Sequence, residues 1–120
     1  TRAFYGETLP NPYLRVFPIK EVSEIGLKYN IPLIMDNTAA PVICNPIEHG
    51  AAVVIHSLTK YIGGHGTAIA GSIVDSGNFD WTADPKRQPL FNEPDDSYNG
   101  AIWGKVVPEL TGANIPFAVR

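Results

Sequence analysis

The sequence predicts an α/β fold, a mostly parallel sheet closed by an antiparallel return strand. Three observations carry that expectation. Short apolar runs rich in β-branched residues recur at 31–36, 51–56 and 68–74, each bounded by turn formers. An amphipathic helical period over 18–29 separates the first of these runs from a short strand-like stretch at 2–6, and a strand–helix–strand unit implies a parallel pair. The link between the last two runs carries Gly63, Gly64 and Gly66. It is too glycine-rich for a crossover helix, so the final strand is expected to return antiparallel.

Each element has its own grounds. Residues 7–12 follow the first strand, and Pro10 and Pro12 bias Leu9 and Asn11 away from helix. Asn11, held between two prolines, presents its amide in a fixed direction or serves simply as a turn residue. Over 18–29, Pro18 suits a first-turn position. Ile19, Val22, Ile25 and Tyr29 form one apolar face, and Lys20, Glu21, Glu24 and Lys28 the other. Glu24 and Lys28 are an i,i+4 pair in the favourable order. The strand at 31–36 is apolar until Asp36, which then lies at its carboxyl end, the edge where open α/β sheets bind ligands. On its own, Asp36 reads better as a turn former with Asn37. Residues 37–50 form a connection with one helical turn near 47–49. The stretch 80–98 has no clear period and several prolines. A loop of that length is expected to be functional or mobile. A short helix is expected over 101–107, closed by Pro108, with another beginning near Ala113.

Composition narrows the function classes. The chain has 120 residues, a net charge of -3 and 44% hydrophobic residues, which suits one globular unit. No apolar stretch reaches the roughly 20 residues that span a bilayer. Mild acidity gives no basic footprint for nucleic acid. Cys44, the single cysteine, rules out an internal disulfide and suits a reducing compartment. The first residues show no signal-peptide pattern. With no initiator Met, the chain is expected to begin inside a longer, cytoplasmic protein.

The chemistry concentrates in residues 56–66, which join two buried strands at one edge of the sheet. This loop offers Lys60, the hydroxyls of Ser57 and Thr59, two histidines and three glycines, and loops on a rigid scaffold are where binding and catalytic groups gather. If the strands before Asp36 and Ser57 are parallel, both residues share one cleft. A Schiff-base lysine, hydroxyls and free backbone amides for a phosphate, and an acid for a protonated pyridine nitrogen are the protein-side parts of a pyridoxal phosphate site. A nucleoside-triphosphatase loop fits poorly, because it needs its glycines before the lysine and Ser or Thr after it. Here the glycines follow Lys60, and the next residue is Tyr61.

Asp36-Asn37-Thr38, the run from Ser57 to Gly66, and the upstream stretch from Glu7 to Pro12 together resemble the cofactor motifs of the Cys/Met-metabolism pyridoxal-phosphate enzymes. That family includes cystathionine synthases and lyases, methionine γ-lyase and O-acetylhomoserine sulfhydrylase. The resemblance covers essentially the whole chain. The Ser-x-Thr-Lys-Tyr-x-Gly-Gly-His-Gly run is its most specific part.

The resemblance implies the large cofactor domain of the aspartate-aminotransferase-like (fold type I) enzymes, with pyridoxal 5'-phosphate as cofactor. Lys60 would carry the Schiff base and shuttle the α-proton. Asp36 would keep the pyridine nitrogen protonated. Ser57 and Thr59 would bind the phosphate, and Asn11 would contact the phenolic oxygen. His56 and His65 are given structural roles, and no metal is implied. Residues 77–81, the proline-rich insert and residues 94–100 look like the sulfhydrylase branch, which implies γ-replacement on O-acetylhomoserine by sulfide or methanethiol. Elimination of the lyase type is the alternative within the family, and a non-catalytic structural module the alternative outside it. The family assembles as a dimer of dimers. The ring-stacking aromatic, the substrate-carboxylate arginine and the cross-subunit groups lie outside residues 1–120, so the chain is expected to be the central part of its domain and inactive alone.

Overall fold

The computed structural model describes residues 1–120. Four strands form one sheet in the order β1-β2-β3-β4: β1 (Phe4–Glu7), β2 (Leu33–Asp36), β3 (Val53–Ser57) and β4 (Gly71–Asp75). β1, β2 and β3 run parallel, and β4 returns antiparallel to β3. The register sets Glu7 beside Asp36 and Asp36 beside Ile55, so the carboxyl ends of three strands meet at one edge.

Side chains alternate across a strand, and both faces of this sheet are apolar in its centre. On one face, Leu33, Met35 and Val54 pack with Ile19 and Ala51. On the other, Val53 joins Ala52, Phe79, Trp81 and Phe91, with Ile34 and Ile55 against them. Parallel strands covered on both faces require this near-continuous apolar character; β4, expected to be buried, instead leaves Ile73 and Val74 53% and 43% exposed.

Helix α1 (Ile19–Lys28) begins just after Pro18. Its buried stripe is Ile19, Ser23 and Gly26, while Ile25 and Tyr29 are more than half exposed. Ile19 and Val22 pack against the core as expected, so the correction to the expected face concerns Ile25 and Tyr29, whose place Ser23 and Gly26 take. Small residues face the sheet because the backbone comes close: a Cβ on Gly26 would lie 2.5 Å from the Ile31 carbonyl oxygen. A 3-10 turn, Pro46–His49, then leads into β3.

Residues 80–98 are largely irregular, as expected, but anchor to the sheet through Trp81 and Phe91, which build a second packed cluster. Trp81 is 1% exposed, meets Phe79 and Phe91 edge-on at 4.9 Å, and stacks on Phe117 at 5.3 Å. Such pairs add to the burial of large rings. Helices α2 (Pro89–Asn92), α3 (Trp103–Thr111) and α4 (Pro116–Val119) complete this layer. α3 runs through Pro108 instead of stopping there. The proline gives up one hydrogen bond to the carbonyl four residues earlier, but Val107 beside it is 2% exposed, and its packing holds the helix together.

Candidate functional site

A cavity of about 550 Å³ opens at the carboxyl edge of the parallel strands. Asn11, Asp36, Ser57 and Lys60 all line it, together with Glu7, Leu9, Leu14, Thr38, Ala39 and Tyr61. Four of the five residues picked out from sequence thus converge from three separate segments. The volume lies within the usual range for small-molecule sites.

Asp36 ends β2 and is half-buried. Its Oδ1 accepts a hydrogen bond from the Thr38 amide at 2.9 Å, and its Oδ2 accepts one from the Tyr5 hydroxyl at 3.3 Å. Tyr5 reaches it because residues two apart on β1 share a face, and Glu7 on that face is the Cα partner of Asp36. The Tyr5 phenol is pushed above its ordinary pKa by burial first, then by the Asp36 charge, the hydrogen bond to it and Glu7. It therefore stays protonated and donates at neutral pH.

Lys60 lies in a tight turn, Leu58–Ile62, that follows β3 directly. Its own backbone, at φ -89° and ψ -120°, departs from helical values and kinks the turn. Gly63 closes the turn: its amide donates to the Leu58 carbonyl at 2.8 Å, and a Cβ there would lie 2.4 Å from the same oxygen. No other residue fits without moving the turn that carries Lys60. Thr59 points elsewhere. Its hydroxyl accepts from the Ala70 amide at 3.0 Å and donates to the Ala70 carbonyl at 3.3 Å, clasping the loop to the strand that returns from it. Asn11 precedes a cis peptide bond to Pro12 and is exposed at the cavity's rim.

His65 is exposed, and His56 lines a different cavity, with Cys44, Val42 and Val74. Tyr5, Glu7 and Thr38 were missed from sequence. The period-2 alternation would have found Tyr5 and Glu7 once Asp36 was placed. Thr38 belongs to the Asp-Asn-Thr run but carries no chemistry of its own that singles it out.

The donor set suits pyridoxal phosphate: a carboxylate for a ring nitrogen, an amine for the aldehyde, a hydroxyl and an amide, all on one cavity. A solved O-acetylhomoserine (thiol)-lyase from Campylobacter jejuni, containing a pyridoxyl-lysine monophosphate, overlays on 98% of this chain with a TM-score of 0.75 and 30% identity. The sheet and its edge are thus those of a fold type I pyridoxal-phosphate enzyme. The chain belongs to the Cys/Met metabolism PLP-dependent enzyme family, whose model matches residues 1–112. It is 46% identical, along its entire length, to the O-acetyl-L-homoserine sulfhydrylase of Leptospira meyeri. A cystathionine γ-lyase from Lactobacillus plantarum overlays on 61% of it, with a TM-score of 0.58 and 34% identity. The chain spans 28% of the length of the Leptospira protein and 32% of the Campylobacter chain.

Proposed function

We propose that this chain is the central part of the cofactor domain of an enzyme that performs γ-replacement on O-acetylhomoserine. In that reaction the bond from the γ-carbon to the acetate oxygen breaks, a bond to the sulfur of hydrosulfide forms, and homocysteine and acetate result. The observation that carries the reading is the convergence of Asp36, Lys60, Ser57 and Asn11 on one cavity.

Pyridoxal phosphate, when bound, supplies an electron sink for the bonds at the substrate α-carbon. The residues of this chain supply the rest. The Asp36 carboxylate, fixed by the Thr38 amide and the Tyr5 hydroxyl, holds a proton on the ring nitrogen. The Lys60 amine anchors the cofactor and afterwards carries the α-proton. Ser57, on the cavity wall, hydrogen-bonds the phosphate. Thr59 is assigned to the phosphate by the family resemblance alone, and it would have to release its hydroxyl from the Ala70 amide and carbonyl to reach it. Asn11 contacts the phenolic oxygen from the rim.

The sulfhydrylase branch is favoured over the lyases because the C. jejuni thiol-lyase overlays on nearly the whole chain and the cystathionine γ-lyase on 61%. In this reading the protein is a cytoplasmic homo-oligomer whose neighbouring segments complete the site. The test supplies the full-length protein with O-acetylhomoserine and sulfide. Sulfide-dependent homocysteine and acetate are expected. Ammonia and a 2-oxoacid formed without sulfide would instead assign the elimination reaction.

A further inference from the structure

We propose that Thr38 is a positioning residue that ties the acid of the site to the lysine-bearing loop. The proposal rests on the reading of Asp36 and Lys60 given above. It starts from how the ladder between β2 and β3 ends. The Asn37 amide still donates to the Ile55 carbonyl at 2.9 Å. In a continuing parallel ladder, the next bond would run from the Ser57 amide to the Asn37 carbonyl. That carbonyl has turned away and accepts from the Ala40 amide at 3.2 Å. The Thr38 hydroxyl takes its place, accepting from the Ser57 amide at 2.8 Å.

Thr38 therefore makes two contacts at one point. Its amide fixes Asp36 Oδ1 at 2.9 Å, and its hydroxyl fixes Ser57, three residues before Lys60. Both bonds are partly buried, and Thr38 lines the same cavity as the groups it joins. Its side chain sets where the Asp36 carboxylate stands relative to the loop. Catalytic and binding groups must hold their mutual geometry to about half an ångström, so losing the tie affects cofactor binding more than folding. The hydroxyl oxygen accepts, so its proton remains free to serve a ligand in the cavity.

The experiment compares Thr38→Val, Thr38→Ser and Thr38→Ala in the full-length protein. It measures the equilibrium affinity of the cofactor-free protein for pyridoxal phosphate by absorbance, together with the thermal midpoint. Valine keeps the branched shape and removes the acceptor, leaving the Ser57 N–H without a partner. Affinity should fall roughly 5- to 30-fold in the Val and Ala variants, and serine should restore it to within about twofold. If the Val variant does not fold, the Ala and Ser variants carry the comparison. Equal affinities with and without the hydroxyl would overturn the proposal. Asp36→Asn and Lys60→Ala run alongside. If they too bind cofactor like the parent, the reading of the site has failed. If they are impaired while the Thr38 variants are not, only the role of Thr38 has failed.

Discussion

Replacing Asp36 with Asn changes the charge of the site and little else. The amide oxygen still accepts from the Thr38 amide, now 2.9 Å from Asp36 Oδ1. The new NH2 group faces the Tyr5 oxygen, which accepts as readily as its hydroxyl now donates. The fold should therefore persist. What disappears is a unit negative charge next to the protonated ring nitrogen. At about 4 Å and an effective dielectric near 20, two unit charges attract by about 4 kcal/mol. At about 1.4 kcal/mol per decade, that corresponds to roughly a thousandfold in turnover. The assay is kcat for homocysteine formation by the full-length protein, with circular dichroism as the control for folding. A variant that folds normally and turns over within tenfold of the parent would refute the reasoning, leaving Asp36 as a turn former.

Two further outcomes concern the scaffold. Trp81→Ala empties the centre of the aromatic layer formed with Phe79, Phe91 and Phe117 and should cost about 3–5 kcal/mol, read as a lower denaturation midpoint by tryptophan-independent circular dichroism. Asp75, at the end of β4, has its pKa raised by burial, opposed by the amides of Gly77, Ala118 and Phe117. Its folded pKa exceeds its unfolded one, so its contribution to stability is fully present below the ordinary carboxylate range and is lost as pH rises through the folded value. Asp75→Asn should remove that part of the slope when melting temperature is followed from pH 4 to 7, and an unchanged slope would rule it out.

The parallel sheet with its antiparallel return was legible because strand signals are local: short branched runs bounded by turn formers. The glycine-rich link after Ser57 carried the direction of β4. That Asp36 and Lys60 line one cavity was legible for a related reason, since the carboxyl ends of parallel strands share one edge of the sheet. The buried face of α1 was legible only in part, through Ile19 and Val22. Hydrophobicity favours Ile25 and Tyr29, but the close approach of Gly26 to the Ile31 carbonyl is a property of packing, and it selects small residues. Residues 80–98 are as irregular as expected outside α2, but their part in the core was not legible: Trp81 and Phe91 are buried at 1% and 3% exposure without any period to announce them. Thr38 was hidden because its task depends on the Asn37 carbonyl turning away from the ladder, an event that has no sequence signature.

The most direct measurement is chemical. Borohydride fixes a pyridoxal Schiff base to the amine that bears it, and peptide mapping then reports which lysine carries the label. The full-length protein should lose its visible Schiff-base absorbance on reduction and yield a single pyridoxyl group on Lys60. A label on Lys20, Lys28, Lys86 or Lys105, or a protein that takes up no cofactor at all, would contradict the account.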